Sequence, residues 1–568
     1  REPEHQAAVW AVRRSGIARA LGGGGDAKPL AFIEDPAVPP ERLAGFARAV
    51  RGVLAREHLP AIWYGHASVG CLHIRPLMDL RAPEAPGRLR RVAEAVADLV
   101  VANGGSLSGE HGDGRARSEL LPRMYPPETM AAFRELKRLL DPDGLLNPGI
   151  IVDPEPLDAN LRLLASPPRR RHATEVSFAR EGGLGRAAEA CNGNGACRSR
   201  VAVMCPSFQA LGDERHATRG RAVLFRAALE GRLPGGLADD GLHEALALCL
   251  ACKACAAECP AEVDMARMKA EALARRHGER GVPARTRLIG HTHELLALGS
   301  LAPSASGRAA GLARRMAGGR TPPRPVRAWQ PSPSRTEGPE VVLMADTFTR
   351  FLHPEVGDAA VKVLEAAGAR VRVVDPGCCG RPLLSQGLVE PARRRLRTAL
   401  DRLAPAAMLG TPVAVLEPSC WSMLRDDLPA VLPDDPRARW VAEAAVTFER
   451  ALVRLGAPPL SGGPREAVLH DHCHARALGA GGDAAAALAL VPGLAVRASG
   501  AGCCGMAGAF GYEHPELSRA IAADRLLPAV AGAELVVAPG TSCRHQLAEL
   551  AGVRALHPAE LLARSLPA

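Results

Sequence analysis

The sequence has 568 residues, 47% of them apolar, enough for several domains with sizeable cores. Aromatics make up only 3%, so those cores must be built from Ala, Leu and Val. The formal charge of +10 is carried mainly by arginines that are scattered (Arg13, Arg90, Arg169, Arg215, Arg394), with no base-stacking aromatic platform beside them. That pattern excludes nucleic-acid recognition and leaves acidic small molecules as the natural partners.

Residues 1–155 mix strands and helices. Residues 5–20 read as a helix already under way at Arg1, so an upstream part is expected to be missing. Residues 61–64 and 72–74 read as short strands around a turn. Residues 88–102 read as an amphipathic helix capped by Gly104 and Gly105. Residues 128–140 form another, with Phe133, Leu136 and Leu140 on one face and Asp141-Pro142 ending it. A polar connector (169–171) leads to two cysteine groups separated by helical sequence. Residues 300–340 are rich in Pro, Gly, Ser and Arg, lack periodicity and predict a linker. No secretory leader opens the chain, and its longest uncharged apolar stretch, 484–496, is too short to span a bilayer. The expected location is the cytoplasm, or the inner membrane face as a peripheral protein.

The last part is an internal repeat. Apolar strands at 341–345 and 467–469 each lead through a helix to a Cys-Cys-Gly (378–380 and 503–505). Each then leads to a strand before a further cysteine, Cys420 or Cys543. Two α/β units of one plan fit this spacing.

All fifteen cysteines except Cys71 fall in tight motifs, which in a long chain reads as metal or redox chemistry. Cys249-x2-Cys252-x2-Cys255-x3-Cys259-Pro260 is the strongest signal. Thiolates at these intervals can hold three irons of a cubane, while the cysteine before proline serves a second cluster. Zinc sites generally use paired Cys-x2-Cys motifs instead. Upstream lies Cys191-x5-Cys197-x7-Cys205-Pro206, so Cys205 should complete the cluster of Cys249, Cys252 and Cys255. Cys191, Cys197 and Cys259 remain, with no middle cysteine in Asn192-Gly193-Asn194-Gly195. That leaves a three-iron cluster, a non-cysteine ligand or no second cluster as the alternatives.

Near the N-terminus, His66 and His73 stand at either end of a small-residue turn, and Glu110-His111 follows in a second Gly-rich turn. Two imidazoles and a carboxylate suit a divalent ion with open positions, able to lower the pKa of a bound hydroxyl. His111 would then be free to take the proton.

These residues resemble the substrate-binding half of vanillyl-alcohol-oxidase-type FAD enzymes that oxidise D-lactate, glycolate and D-2-hydroxyglutarate. That family carries Gly-His-x6-His, then Glu-His-Gly, then Asn-Pro-Gly, here His66, His73, Glu110, His111 and Asn147-Pro148-Gly149. The resemblance implies a metal, usually zinc, on His66, His73 and Glu110, with His111 as base and Asn147 on the cofactor side. It also implies that Arg13, in Trp10-Ala11-Val12-Arg13, holds the substrate carboxylate. Arg75 adds a second contact, and Ile33 replaces a frequent lysine.

The Cys-Cys-Gly units resemble those of heterodisulfide reductase and glycolate oxidase iron–sulfur proteins. The C-terminal unit has Cys473, Cys503, Cys504 and Cys543 as candidate ligands. In the other, Asp346 stands where the first cysteine would lie. The order of parts is similar to large bacterial fusion proteins assigned as D-2-hydroxyglutarate dehydrogenases, although the FAD pyrophosphate-binding domain that should precede residue 1 is absent. Gly22 to Gly25 lacks the flanking strand and helix to replace it.

The fold class implied is multidomain α+β and α/β. Its expected parts are a FAD-linked oxidase C-terminal domain (1–155), a helical ferredoxin-like 4Fe-4S domain (156–299), a linker (300–338) and two Cys-Cys-Gly domains (339–460 and 461–568). The function implied is oxidation of a D-2-hydroxy acid by FAD, with electrons passing through [4Fe-4S] to a quinone, cytochrome or electron-transfer protein. The alternative is a non-catalytic electron-transfer or heterodisulfide-reductase-like component, which would not need the His66/His73/Glu110/His111 set.

Overall fold

The computed structural model describes all residues except 1, 4, 7, 11–24, 162–171, 201–202, 305–313, 315–318, 335, 464 and 568. The chain divides into two compact units, Arg1–Arg170 and Arg171–Ala568.

In the first unit, β1 (Lys28–Pro29), β2 (Ala61–His66) and β3 (Cys71–Met78) form an antiparallel sheet in the order β1-β3-β2. Two amphipathic helices, Leu43–Arg56 and Ala85–Ala102, pack on it. The longer buries Leu89, Val92, Ala93, Val96, Ala97 and Val100, the three-and-four spacing that makes one apolar stripe. It ends at Asn103, with Gly104 in a left-handed conformation at φ 65°. The β2–β3 hairpin turns through Ala67–Val69 and Gly70. Gly70 sits at φ 69°, and a Cβ there would fall 1.7 Å from the Val38 carbonyl oxygen, so only glycine closes this turn.

The second unit opens with helices that carry the ferredoxin-type cysteines, from Leu184–Glu189 to Thr292–Leu301. Two parallel sheets follow. In the first, β4 (Glu340–Met344), β5 (Arg370–Val374), β6 (Val413–Val415) and β7 (Ala445–Thr447) lie in the order β5-β4-β6-β7. In the second, β8 (Glu466–Leu469) is flanked by β9 (Ala495–Ala498) and β10 (Val536–Val537), and Val537 bridges onward to Leu556 in parallel. The two sheets thus share one winding plan. Each places its cysteines just beyond the carboxyl ends of its strands, where open parallel sheets present ligand sites.

The segment 320–339, predicted to be a plain linker, is anchored. Arg320 is fully buried, bonded to Glu549, Gln546 and Ser518, and Trp329 is packed in the core of the first parallel sheet. One buried arginine and one tryptophan outweigh the segment's polar composition. Among the described residues, no helix is long and apolar enough to cross a membrane.

Candidate functional site

Strand periodicity builds the histidine site. Side chains two apart share a face, and Tyr64 pairs directly with His73 across the hairpin. Tyr64 and His66 therefore lie on one face with Cys71, His73 and Arg75, while Ile74 points the other way into the core. Opposite this face runs the Ser108–Gly114 turn. The Nε2 atoms of His66 and His73 reach Glu110 Oε1 at 3.1 and 3.0 Å. His111 stacks on His73 with ring centroids 4.8 Å apart, its Nε2 3.6 Å from the same carboxylate oxygen. His73 is buried, whereas Glu110 and His111 are exposed, so the set opens to solvent on one side. Burial, together with the neighbouring His111, lowers the pKa of His73 and keeps it neutral, the form a metal needs.

Glu34 stands behind His73, its Oε1 3.8 Å from Nδ1, so that Nε2 is the nitrogen turned toward Glu110. Two imidazoles and a carboxylate, closed behind and open in front, fit a divalent ion with free coordination positions.

Asp35 holds the second turn in place. Its carboxylate accepts from the Ser108 hydroxyl at 2.6 Å, the backbone N–H of His111 at 2.7 Å, that of Glu110 at 3.1 Å and the Cys71 thiol at 3.3 Å. Burial raises its pKa, but these donors outweigh burial and hold it at about 2. The folded value lies below the unfolded one, so this stabilisation is present above about pH 4 and is lost as pH falls toward 2. Asp35→Asn should cost about 2 kcal/mol at neutral pH and flatten the acid limb of the stability curve, which thermal melts across pH 2–7 would check. An unchanged acid limb would remove Asp35 from this role. The resemblance marked Asp35 only as the acidic residue two past Ile33 and did not mark Glu34; the available signal was an adjacent acidic pair interrupting an apolar stretch.

The other expected site residues of this unit are placed less centrally. Arg75 gives Nη2 to Glu34 at 2.7 Å and Nε to the Tyr64 hydroxyl at 3.3 Å, so an internal carboxylate already neutralises it. Asn147 lies in an exposed loop with a left-handed backbone, φ 46°. Arg13 is outside the described residues.

In the second unit, Cys255 has Cys205 and Cys249 among its electrostatic neighbours, and Cys252 has Cys473, Cys255 and Cys249. Cys197 neighbours Cys191 and Cys259. Cys205 neighbours Cys197 as well as Cys255, so the two groups of ferredoxin-type cysteines adjoin at Cys205. Two non-glycine residues of the Cys249–Cys255 loop, Ala251 and Lys253, take left-handed backbone, as does Cys205 ahead of the helix Pro206–Leu211. Lys253 is buried, with Nζ 2.8 Å from Asp427 and 2.5 Å from Asp426. Asn194, which stands between Cys191 and Cys197, spends its Oδ1 on the Ala196 N–H at 2.8 Å.

In the C-terminal repeat, Cys504, Cys543 and His470 offer ligand atoms within 4.8 Å of one another. The Nδ1 of His470 is held by Ser499 Oγ at 3.2 Å. Cys473 and Cys503 hydrogen-bond to each other and extend this group. Cys473 is the first residue of the helix Cys473–Ala477, whose N-cap is His472. In the other repeat the N-cap is Asp346, which accepts from the N–H groups of Phe348 and Thr349, and the first helical residue is Thr347. Thr347 bonds Cys378 as Cys473 bonds Cys503. The residue in place of the first cysteine is therefore Thr347, not Asp346. Asp346 and Thr347 are adjacent, so spacing alone does not separate the N-cap from the first helical residue.

Comparison with known proteins follows the same divisions. Residues 1–151 match the family of FAD linked oxidases, C-terminal domain. Residues 187–263 match the 4Fe-4S dicluster domain, and residues 345–425 and 467–548 each match the cysteine-rich domain. The chain is built from a FAD-linked oxidase C-terminal domain, a 4Fe-4S dicluster domain and tandem cysteine-rich domains. It is 27% identical to a D-2-hydroxyglutarate dehydrogenase of Escherichia coli and 28% identical to one of Pseudomonas putida. Each alignment covers 98% of this chain and 60% of the relative. Over 40% of the chain it is 32% identical to a component of the anaerobic glycerol-3-phosphate dehydrogenase of Escherichia coli, covering 59% of that protein.

Proposed function

We propose that this chain serves a flavin-dependent dehydrogenase reaction in which a D-2-hydroxy acid is oxidised to the 2-oxo acid. The electrons leave through the iron–sulfur site to a quinone, cytochrome or electron-transfer protein. D-2-hydroxyglutarate is the preferred substrate, because the relatives that align with 98% of the chain carry that name. The observation that carries the reading is the convergence of His66 and His73 on Glu110, with His111 beside them.

His66, His73 and Glu110 would hold a divalent ion, zinc in this reading, which supplies Lewis-acid polarisation of the 2-hydroxyl. FAD supplies the hydride acceptor, and an iron–sulfur cluster supplies one-electron transfer. The rest falls to the protein's own side chains. His111 takes the hydroxyl proton, as imidazole is the commonest side-chain base at neutral pH. Arg13 pairs with the substrate carboxylate, and Arg75 adds whatever its guanidinium leaves free of Glu34 and Tyr64. Asn147 lies on the flavin side. Asp35 fixes the turn bearing Glu110 and His111 by gripping its backbone N–H groups. A pure electron relay has no use for this set, which disfavours the heterodisulfide-reductase-like alternative.

Anaerobic addition of D-2-hydroxyglutarate to this chain joined to an FAD-binding domain and loaded with FAD should bleach the flavin absorbance, and the L-enantiomer should not. D-lactate and glycolate belong in the same comparison. If none of these acids bleaches the flavin, the dehydrogenase reading fails and the relay reading takes its place.

A further inference from the structure

The first cysteine-rich repeat departs from the second. Thr347 occupies the place of its first cysteine, and Cys378, Cys379 and Cys420 remain. In the second repeat His470, Cys504 and Cys543 offer ligand atoms within 4.8 Å of one another. What the first repeat holds is a run of buried thiols in which Cys378 hydrogen-bonds Cys379 and Cys379 in turn hydrogen-bonds Cys420. The Cys379 thiol donates to Cys420 Sγ at 3.1 Å, and both side chains are buried.

We propose that Cys379 and Cys420 are a redox-active dithiol, closing to a disulfide and reopening as the protein passes electrons.

The geometry brings the two sulfurs within one small movement of bonding. Cys379 lies beyond the carboxyl end of β5, and Cys420 lies in the helix Pro418–Ser422 just beyond β6. Neither depends on a flexible terminus. Closure breaks two S–H bonds and forms one S–S bond, releasing two protons and two electrons. An iron–sulfur centre on the ferredoxin-type cysteines would supply the one-electron oxidant that takes them up. Burial raises the pKa of Asp346, which acts electrostatically on Cys420 and can take one proton, and the other leaves to solvent. Asp346 and Glu417, which also acts on Cys420, are both fixed. Asp346 accepts from Thr349 Oγ1 at 2.6 Å, and Glu417 from the Ser419 hydroxyl at 2.8 Å and the Thr541 N–H at 2.8 Å. The Cys420 thiol is lowered by its bond with Cys379, but burial and these two charges outweigh that and push it up to about 12. The resting pair is therefore protonated and stable until electrons are withdrawn.

The inference rests on the iron–sulfur reading only for the acceptor in the cell, so its test uses a chemical oxidant and no hydroxy acid. Whole protein is oxidised anaerobically with ferricyanide, denatured in N-ethylmaleimide and mapped by mass spectrometry. The expected result is a peptide linked through Cys379 and Cys420, the loss of their two free thiols, and full recovery of both after dithiothreitol. Cys378→Ala should retain the link, and Cys379→Ser and Cys420→Ser should each abolish it. Circular dichroism of both serine variants separates loss of the link from loss of the fold. If one serine variant is unfolded, the other variant and the unmodified protein still decide the question. A link between Cys378 and Cys379, alkylation of all three after oxidation, or a stoichiometric metal that Cys379→Ser releases would each overturn the proposal. None of these outcomes bears on flavin bleaching by the substrate.

Discussion

Replacing His111 by alanine should lower kcat by about 10²- to 10⁴-fold while the metal stays bound, because the proposed role of His111 is proton transfer alone. His66→Ala should instead release the metal, since His73 and Glu110 are too few ligands for a tight site. The geometry makes the distinction. His66 and His73 point Nε2 at Glu110 Oε1 from 3.1 and 3.0 Å, while His111 approaches from 3.6 Å and lies flat against His73. Glu110→Gln is the companion variant. It keeps the size of the side chain and removes its charge, so metal affinity should fall while His111 stays anchored through its N–H to Asp35. Metal content and kcat of the three variants, measured in the protein that includes its FAD-binding domain with FAD bound, give the comparison. Loss of metal from His111→Ala as complete as from His66→Ala would make His111 a ligand and require another base. Retention of both metal and rate in all three would leave the constellation structural.

How far the sequence reached depends on the kind of signal each residue gives. Motif residues were legible because fixed spacing carries their chemistry: His66 and His73 lie at the ends of one hairpin turn, and Glu110 and His111 share the facing turn. Helices with a strong apolar stripe were legible too, and the helix predicted over 88–102 is Ala85–Ala102. Support residues were not. Asp35 lies more than seventy residues from the Ser108 and His111 it grips, and no local pattern announces such a contact. Arg75 read as a carboxylate contact because sequence shows its charge but not its partner; Glu34, forty-one residues away, supplies that partner. The repeat was recognisable from its Cys-Cys-Gly spacing, yet its alignment slipped by one residue. An N-cap and the first helical residue are adjacent in sequence, and only the hydrogen bonds tell Asp346 from Thr347. The segment 320–339 went the other way. Composition predicts a linker, and the segment has no regular structure among its described residues, but Arg320, bonded to Glu549 and Gln546, and Trp329, packed in a core, tie it down.

Cys205→Ser should abolish the cubane signal as completely as Cys252→Ser, although Cys205 lies outside the Cys249–Cys259 motif. The grouping of Cys205 with Cys249 and Cys255 is the reason. A cubane needs four ligands, and Cys249, Cys252 and Cys255 supply only three. Cys205 is buried, held by the Thr218 hydroxyl and N–H, both 3.1 Å from its sulfur, with a left-handed backbone that aims it inward. Serine would keep the size but offer a poor ligand for iron. Cys197→Ser, by contrast, should leave that cubane intact and remove only what Cys191, Cys197 and Cys259 hold. Iron analysis, the visible thiolate-to-iron absorbance and the EPR signal of the reduced protein, prepared anaerobically, read all three variants. A second, smaller loss of iron in Cys197→Ser would mark a three-iron or mixed-ligand cluster, and no loss would mark an empty set. If Cys205→Ser keeps the cubane and Cys197→Ser destroys it, the two sets have been joined the wrong way. Stoichiometric zinc with no iron would remove the electron-transfer role from this unit altogether.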